Sequence, residues 1–339
     1  MKESRNLNSG DVMETTTQLV GSMPITVATP RPSARRSVDR RASRLFFAIS
    51  ALPIGLVLIM IVALVIRAWP ILTAKPIGDL LLGTTWKPLA GEFGFAPFIA
   101  GTLWVTLTAM IIAVPICLLC AIYLSEYAGP RVRGVMKPLL DLLAGIPSVI
   151  YGVWGLIAIV PLVENVIAPA LSKTLGFLPL FSANNPTGFS VLAGGLVLAV
   201  MVTPVIIAVT YEVMQSIPQG LREASLAVGA TQWETIKYAV LPKSLPGIIA
   251  GIVLGVSRAF GETMAVLMVV GNVVQMPKSI FDAAYPLTAL IANNYGEMMS
   301  IPMYDAALLG AALILLLVIL AFNVLATLVL YRVTERAAT

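Results

Sequence analysis

The sequence predicts an all-α, polytopic membrane protein, a bundle of six transmembrane helices, and three observations carry that prediction. Apolar residues make up 58% of the 339-residue chain and charged residues 12%, with a mean hydropathy of +0.92. Soluble domains carry about 25% charged residues, so this chain has too few to keep a surface of its size wet. Six stretches are apolar over the length of about 20 residues that a span requires, at roughly 45–68, 97–124, 138–162, 190–214, 246–272 and 304–331. Lysine and arginine fall unevenly around them. With the N-terminus inside, 16 basic residues lie in inside segments and five (Arg67, Lys75, Lys87, Lys173, Lys278) outside, which predicts that both termini are cytoplasmic.

Residues 1–44 read as a flexible basic tail, with Lys2, Arg5, Arg31, Arg35, Arg36, Arg40, Arg41 and Arg44 against four acidic residues. Beside a membrane such a tail is an orientation signal or a lipid contact, so no nucleic-acid partner is expected. Residues 45–339 form the membrane domain. The sequence has no histidine and two cysteines, Cys117 and Cys120, which sit in an apolar run where small sulfur side chains pack. Metal sites and histidine-dependent acid–base chemistry are therefore not expected. The outside connections at 69–96 and 163–189 carry Trp69, Trp86, several prolines and the run Asn184, Asn185, Pro186, and read as interfacial loops or short re-entrant pieces.

Charges inside a span are costly and mark function by default. Arg258 and Glu262, four residues apart in the fifth span, share a helical face within ion-pair reach. Counted from Pro246, Arg258 lies about 12 residues, or roughly 18 Å, into the bilayer. Gly255, Gly251 and Gly247 continue that face within an arc of about 80°. Asp141, Gly145, Ser148, Gly152 and Gly155 fall in a similar arc of the third span, so the two spans are expected to pack through small residues beside a polar path. Two roles fit Arg258 and Glu262: a structural ion pair, or a functional site in the membrane. Asp141, about three residues from the inner end of its span, fits a helix-end or gate residue. Thr203, next to Pro204, marks a kink or satisfies a carbonyl that the proline frees.

The longest inside loop is 215–245, and its residues 221–239 are helix-compatible between Pro218 and Pro242. Within it runs EASLAVG, 223–229, in which small residues interrupted by Gly229 suit insertion into a partner's groove or a position on the membrane surface. This loop resembles the EAA loop of permease subunits in ATP-binding-cassette importers. Glu223, Ala224, Gly229, Leu241 and Pro242 match its pattern in register, while Ser225 and Ala239 depart from it. The stretches YLSEYAGPRVRGVMKP (123–138), LLAGIPSVIYGVWGL (142–156) and SRAFGETMAVLMVVGN (257–272) are similar to the PstC-type permeases of bacterial phosphate importers, a likeness that runs from about Trp69 to the C-terminus.

The resemblance implies a type I importer permease fold in a bacterial cytoplasmic membrane, and transport of inorganic phosphate by alternating access. It implies a PstA-like second permease, a dimer of PstB-like ATPases that holds ATP and Mg, a PstS-like external binding protein, and a coupling helix at the EAA-like loop. No stretch fits the phosphate-cradling loop of an ATPase, so this chain is expected to bind no cofactor and to have no catalytic residue. Arg258 would meet phosphate through its planar fork, with Glu262 tempering its pull and Ser148 adding a neutral hydroxyl. Tyr151, about 80° from the middle of the small-residue stripe, would be more peripheral. The alternatives are a permease for another oxyanion, such as sulfate or molybdate, and an ion-coupled secondary transporter. An intramembrane enzyme built on Asp141 and Glu262 is disfavoured, because the two would lie roughly 20 Å apart along the axis.

Overall fold

The structure, a computed structural model, describes residues 32–182, 187–297, 301 and 303–338. Residues 1–31 of the basic tail and the run Asn184, Asn185, Pro186 lie outside the described residues. Among the described residues, six helices are long and apolar enough to span a membrane: Arg40–Ala74, Ala96–Tyr127, Ser148–Leu175, Val191–Ser216, Gln232–Gly261 and Tyr304–Arg332. The chain divides into two compact units, 1–60 and 61–339. Helix α1 (Pro32–Ala74), whose residues up to Met60 belong to the first unit, is already helical at Pro32 rather than after Arg44, and its side chains from Leu45 to Met60 are nearly all exposed. Such an all-round apolar surface suits lipid or another chain.

In the second unit, α2 (Ile77–Leu82) leads into a two-stranded hairpin, β1 (Trp86–Lys87) and β2 (Glu92–Phe93), with Trp86 opposite Phe93. Trp86 packs edge-on against Phe93 and Phe98 in an aromatic cluster that includes Tyr304. The centre of the unit is the pair α3 (Ala96–Ile122, extended by a π-helical turn, Tyr123–Tyr127) and α6 (Val191–Ser216). Gly195 sets their approach: a Cβ there would lie 2.6 Å from Thr108 Cγ2. Between the two helices the Cys117 sulfur is 3.5 Å from Thr203 Oγ1, and both cysteines are free, as packing residues are. Thr203 donates to the Ala199 carbonyl at 2.7 Å, not to the Val200 carbonyl that Pro204 leaves without its donor.

The third span differs from the expectation. Residues 138–162 are not one helix: α4 (Pro130–Gly145) ends at Ile146 (ψ 129°) and Pro147 (ψ 138°), and α5 begins at Ser148 and runs through to Leu175. Pro147 disfavours helical geometry at the residue before it, and that breaks the helix. Asp141 and Gly145 therefore do not share a stripe with Ser148, Gly152 and Gly155.

The fifth span is α8 (Gln232–Gly261), not 246–272. Glu262 is extended (ψ 130°), and a short helix α9 (Met264–Val269) follows. The chain then turns at Gly271 (φ 94°) and Asn272 (φ 53°) and enters α10 (Leu287–Asn294), before the last span α11 (Tyr304–Ala338). The segment between α9 and α10 is no loose outer loop, since Phe281, Ala284, Leu287 and Leu290 are all buried. Irregular backbone inside a membrane bundle needs protein partners for its polar groups, and it finds them here. Val191 and Leu192 N–H donate to the Asp282 and Ile280 carbonyls at 2.9 and 2.8 Å. Leu287 N–H donates to Thr102 Oγ1 at 2.9 Å, beside Gly101, where a Cβ would lie 3.2 Å from the Tyr285 carbonyl.

Candidate functional site

The glycine stripe of α8 does pack a helix closely, but the partner is α6. A Cβ at Gly247 would run into Val213, one at Gly251 would lie 3.1 Å from Val209 Cγ1, and one at Gly255 would lie 2.6 Å from Ile206 Cγ1. The contacts descend α6 as they climb α8, so the helices are antiparallel with backbones in close approach. One further turn places Arg258 level with the middle of α6. The third-span glycines serve other contacts: a Cβ at Gly152 would lie 3.1 Å from Ala265 Cα on α9, and one at Gly155 would be 2.5 Å from Val197 Cγ2 on α6. Gly145 has nothing within 4 Å, so the packing role expected of it is absent.

Arg258 and Glu262 do not pair. The ion pairs among the described residues are Lys137–Glu212 and Arg222–Glu126. Sharing a face requires the helix to continue, and it stops at Gly261. The Glu262 carboxylate turns forward and accepts the Ala265 N–H at 3.1 Å at the start of α9, while its carbonyl accepts from Thr288 Oγ1 at 2.9 Å. With Thr102, Thr106 and Thr288, Glu262 lines a narrow cavity whose other walls are apolar, among them Val105, Leu198 and Phe260.

Arg258 is left in the last turn of α8, half-buried, with no hydrogen-bond or ion-pair partner among the described residues. The negative end of the helix dipole stands beside it where the carboxylate was expected. Tyr151 of α5 is buried and its hydroxyl donates to the Leu143 carbonyl at 2.8 Å, so it binds the end of α4. Ser148, half-buried, shares a face with Gly152 by its four-residue spacing, and its hydroxyl has no partner among the described residues. Asp141 is exposed on α4 and lines, with Lys137, Tyr211 and Glu212, a cavity at the end of α6.

At that same end, the region expected as one helix over 221–239 is two. Helix α7 (Gln219–Ala227) closes at Gly229 (φ 90°), and Thr231 caps the start of α8 in a reciprocal bond with Glu234. Leu241 and Pro242 lie within α8, not in the loop. Glu223 and Ala224 are exposed, as are Leu226 at 49% and Val228 at 86%.

The inward side of α7 carries a residue that sequence reasoning missed. Arg222 grips Glu126, at the end of α3, through two contacts: Nε to Oε2 at 3.1 Å and Nη2 to Oε1 at 2.9 Å. The same guanidinium donates to the Ile217 and Met214 carbonyls, at 2.7 and 2.8 Å. Arg133 donates to the Leu124 and Ser125 carbonyls, and Gln232 to the Glu126 carbonyl, which closes the network. Glu126 stood in a stretch quoted above and Arg222 directly precedes another, but nothing in their spacing, 96 residues apart, marks them as partners.

A six-span bundle with an exposed helix and turn at one end, and an unpaired arginine inside a span, is the architecture of a transporter's membrane subunit. Residues 113–337 match the family described as binding-protein-dependent transport system inner membrane component, and the chain belongs to that family. It is 36% identical over 314 residues to the phosphate transport system permease protein PstC of Xylella fastidiosa (strain 9a5c), covering 91% of this chain and 96% of that protein. The probable phosphate transport system permease protein PstC of Methanocaldococcus jannaschii is 34% identical over 265 residues, with 77% of this chain and 84% of the relative covered. Among solved structures, a bacterial ABC transporter involved in the import of the acidic polysaccharide alginate superposes with a TM-score of 0.54 at 19% identity, covering 88% of this chain and 99% of that one. The fold is that of a type I importer permease, a multi-pass membrane protein.

Proposed function

We propose that this chain is the permease subunit of an ATP-driven importer that carries inorganic phosphate across the cytoplasmic membrane by alternating access. Arg258 is the observation that carries the reading. It is a guanidinium level with the middle of a neighbouring span, without a partner among the described residues, and one turn from the exposed apolar side chain of Leu254. An unpaired charge in a membrane marks a ligand or another chain by default. Arginine suits phosphate because its planar fork gives two parallel hydrogen bonds and stays charged. The adjoining helix terminus moderates the attraction, which favours release as well as binding. Ser148 supplies a neutral hydroxyl on this path, and Tyr151 borders it. Glu262 acts by holding the helix break open, and Asp141 acts at the inner gate. The relatives similar over most of the chain are phosphate permeases by name, which favours phosphate over sulfate or molybdate.

In this reading both termini are cytoplasmic, and α7 with Gly229 is the coupling element, docking on a PstB-like ATPase dimer that holds ATP and Mg. A PstA-like permease covers the exposed faces of α5 and α8, and a PstS-like protein delivers phosphate from outside. The chain itself binds no cofactor. The test is uptake of radiolabelled phosphate by cells that lack other phosphate importers and express this chain with those three partners. Uptake that unlabelled phosphate suppresses, and sulfate or molybdate does not, is expected. Suppression by sulfate or molybdate as strong as by phosphate would overturn the substrate, and no ATP-dependent uptake would overturn the reading.

A further inference from the structure

We propose that the Arg222–Glu126 ion pair is the strut that passes force from the coupling helix to the bundle, so that Arg222 is a positioning residue for transport. The inference rests on the reading of α7 as the surface that meets the ATPase. The outward side of α7 presents Glu223, Ala224 and Leu226, all exposed, whereas Arg222 points inward and its side chain is 12% exposed, against 7% for Glu126. One guanidinium thereby holds three elements: α7, the end of α6 through the Met214 and Ile217 carbonyls, and the end of α3 through Glu126.

Those two spans are the pair that pack most extensively in the bundle, so a displacement of α7 reaches its centre directly. The contact is also directional. A bidentate Arg–carboxylate pair fixes angle as well as distance, which an apolar contact or a lysine does not. Glu126 is held from its other sides, with Ser125 Oγ donating to Oε1 at 2.9 Å and Gln232 Nε2 donating to its carbonyl at 2.8 Å, and Ser125 beside it is held in turn by Gln215 Nε2, which donates to its carbonyl at 3.0 Å. The strut therefore ends in a braced socket, not in a mobile side chain. By contrast, the other ion pair among the described residues, Lys137–Glu212, is 61% and 65% exposed, where solvent screens it and no rigidity follows.

The test uses the full importer, with ATPase, second permease and binding protein, reconstituted in vesicles of bacterial phospholipid. Phosphate uptake and ATP hydrolysis are measured on the same assembled complexes. In Arg222→Gln, hydrolysis is expected to continue while phosphate moved per ATP falls about tenfold, within the usual span of coupling between sites. Arg222→Lys, which keeps the charge and loses the fork, is expected to fall between Arg222→Gln and wild type, and it serves as the deciding variant should Arg222→Gln not assemble. A merely structural role would lower the amount of complex and leave the ratio per complex at the wild-type value, and that result in whichever variant assembles overturns the proposal. Gly229→Trp separates the two readings. If it uncouples while the Arg222 variants keep the wild-type ratio, the strut alone is wrong; if neither Gly229→Trp nor the Arg222 variants change the ratio, α7 is not the docking surface.

Discussion

Glu262 Oε1 accepts the backbone N–H of Ala265 at 3.1 Å, so the carboxylate that spacing aligns with Arg258 starts the next helix instead of neutralising the arginine. The relationship separates two residues that the sequence presents as a pair. Arg258 keeps its positive charge available, and Glu262 becomes a structural cap at a break between α8 and α9.

Glu262→Gln is accordingly expected to transport at close to the wild-type rate, because its amide oxygen can accept the same N–H. Glu262→Ala loses the acceptor and is expected to destabilise the break by about 1 kcal/mol, the usual cost of a lost cap. Phosphate uptake and thermal stability in detergent read the two effects separately. A loss of uptake in Glu262→Gln as deep as that in Arg258→Gln would show that the carboxylate charge itself is needed.

Of the glycines in the two small-residue stripes, Gly152, Gly155, Gly247, Gly251 and Gly255 pack against a neighbour and Gly145 does not. Gly255→Ala places a methyl 2.6 Å from Ile206 Cγ1 and is expected to cost about 1–3 kcal/mol of stability. Ile206→Val in the same chain is expected to recover part of that loss. Gly145→Ala meets nothing within 4 Å and, being helical, is expected to be neutral or to gain up to about 1 kcal/mol. Thermal denaturation of the purified chain distinguishes them, and equal destabilisation at both positions would contradict the α8–α6 contact.

Topology is testable with single cysteines in a chain whose Cys117 and Cys120 are replaced by Ala. Leu89→Cys and Phe177→Cys, at positions 91% and 78% exposed, are expected to react with a membrane-impermeant reagent from outside, and Val228→Cys, 86% exposed, only from the cytoplasm. Position 285, which sequence reading places in an outer loop, is unsuitable because Tyr285 is buried. Outside labelling at position 228 would remove α7 from any cytoplasmic partner.

The turn at Gly229 has a φ of 90° and open space around it. Gly229→Asn, which tolerates left-handed backbone, is expected to keep ATPase binding. A Cβ at Gly229 meets nothing within 4 Å, but the left-handed backbone strains any side chain there, so Gly229→Trp is read against Gly229→Asn, and a loss of ATPase co-purification in the Trp variant alone would report bulk against the partner's surface. Normal co-purification and coupling in Gly229→Trp would argue against docking here.

The six spans were legible in the sequence because apolar length operates residue by residue. The α8 stripe of Gly247, Gly251 and Gly255 was likewise visible as a close-packing face, although spacing within one helix cannot name the helix opposite, which is α6 rather than the third span. Two breaks were missed. Ile146-Pro147-Ser148 and Gly261-Glu262-Thr263 each place a helix stop directly before a residue able to start a helix, yet both lie in runs apolar enough to read as continuous spans. The Arg222–Glu126 pair was illegible for another reason: only the fold brings the end of α3 against α7. The burial of residues 279–290 was hidden too, since an apolar connection between spans looks the same whether it lies in lipid or folds back into protein.

Phosphate transport by this chain turns on Arg258, and the most direct measurement is uptake of radiolabelled phosphate by complexes carrying Arg258→Gln, normalised to assembled importer. Loss of a charge-assisted bidentate contact corresponds to roughly 1.5–3 kcal/mol, so uptake is predicted to fall by about ten- to a hundredfold while assembly with the partners is retained. Arg258→Lys is predicted to keep part of the activity. Wild-type uptake in Arg258→Gln would contradict the account and leave Arg258 a residue of structure alone.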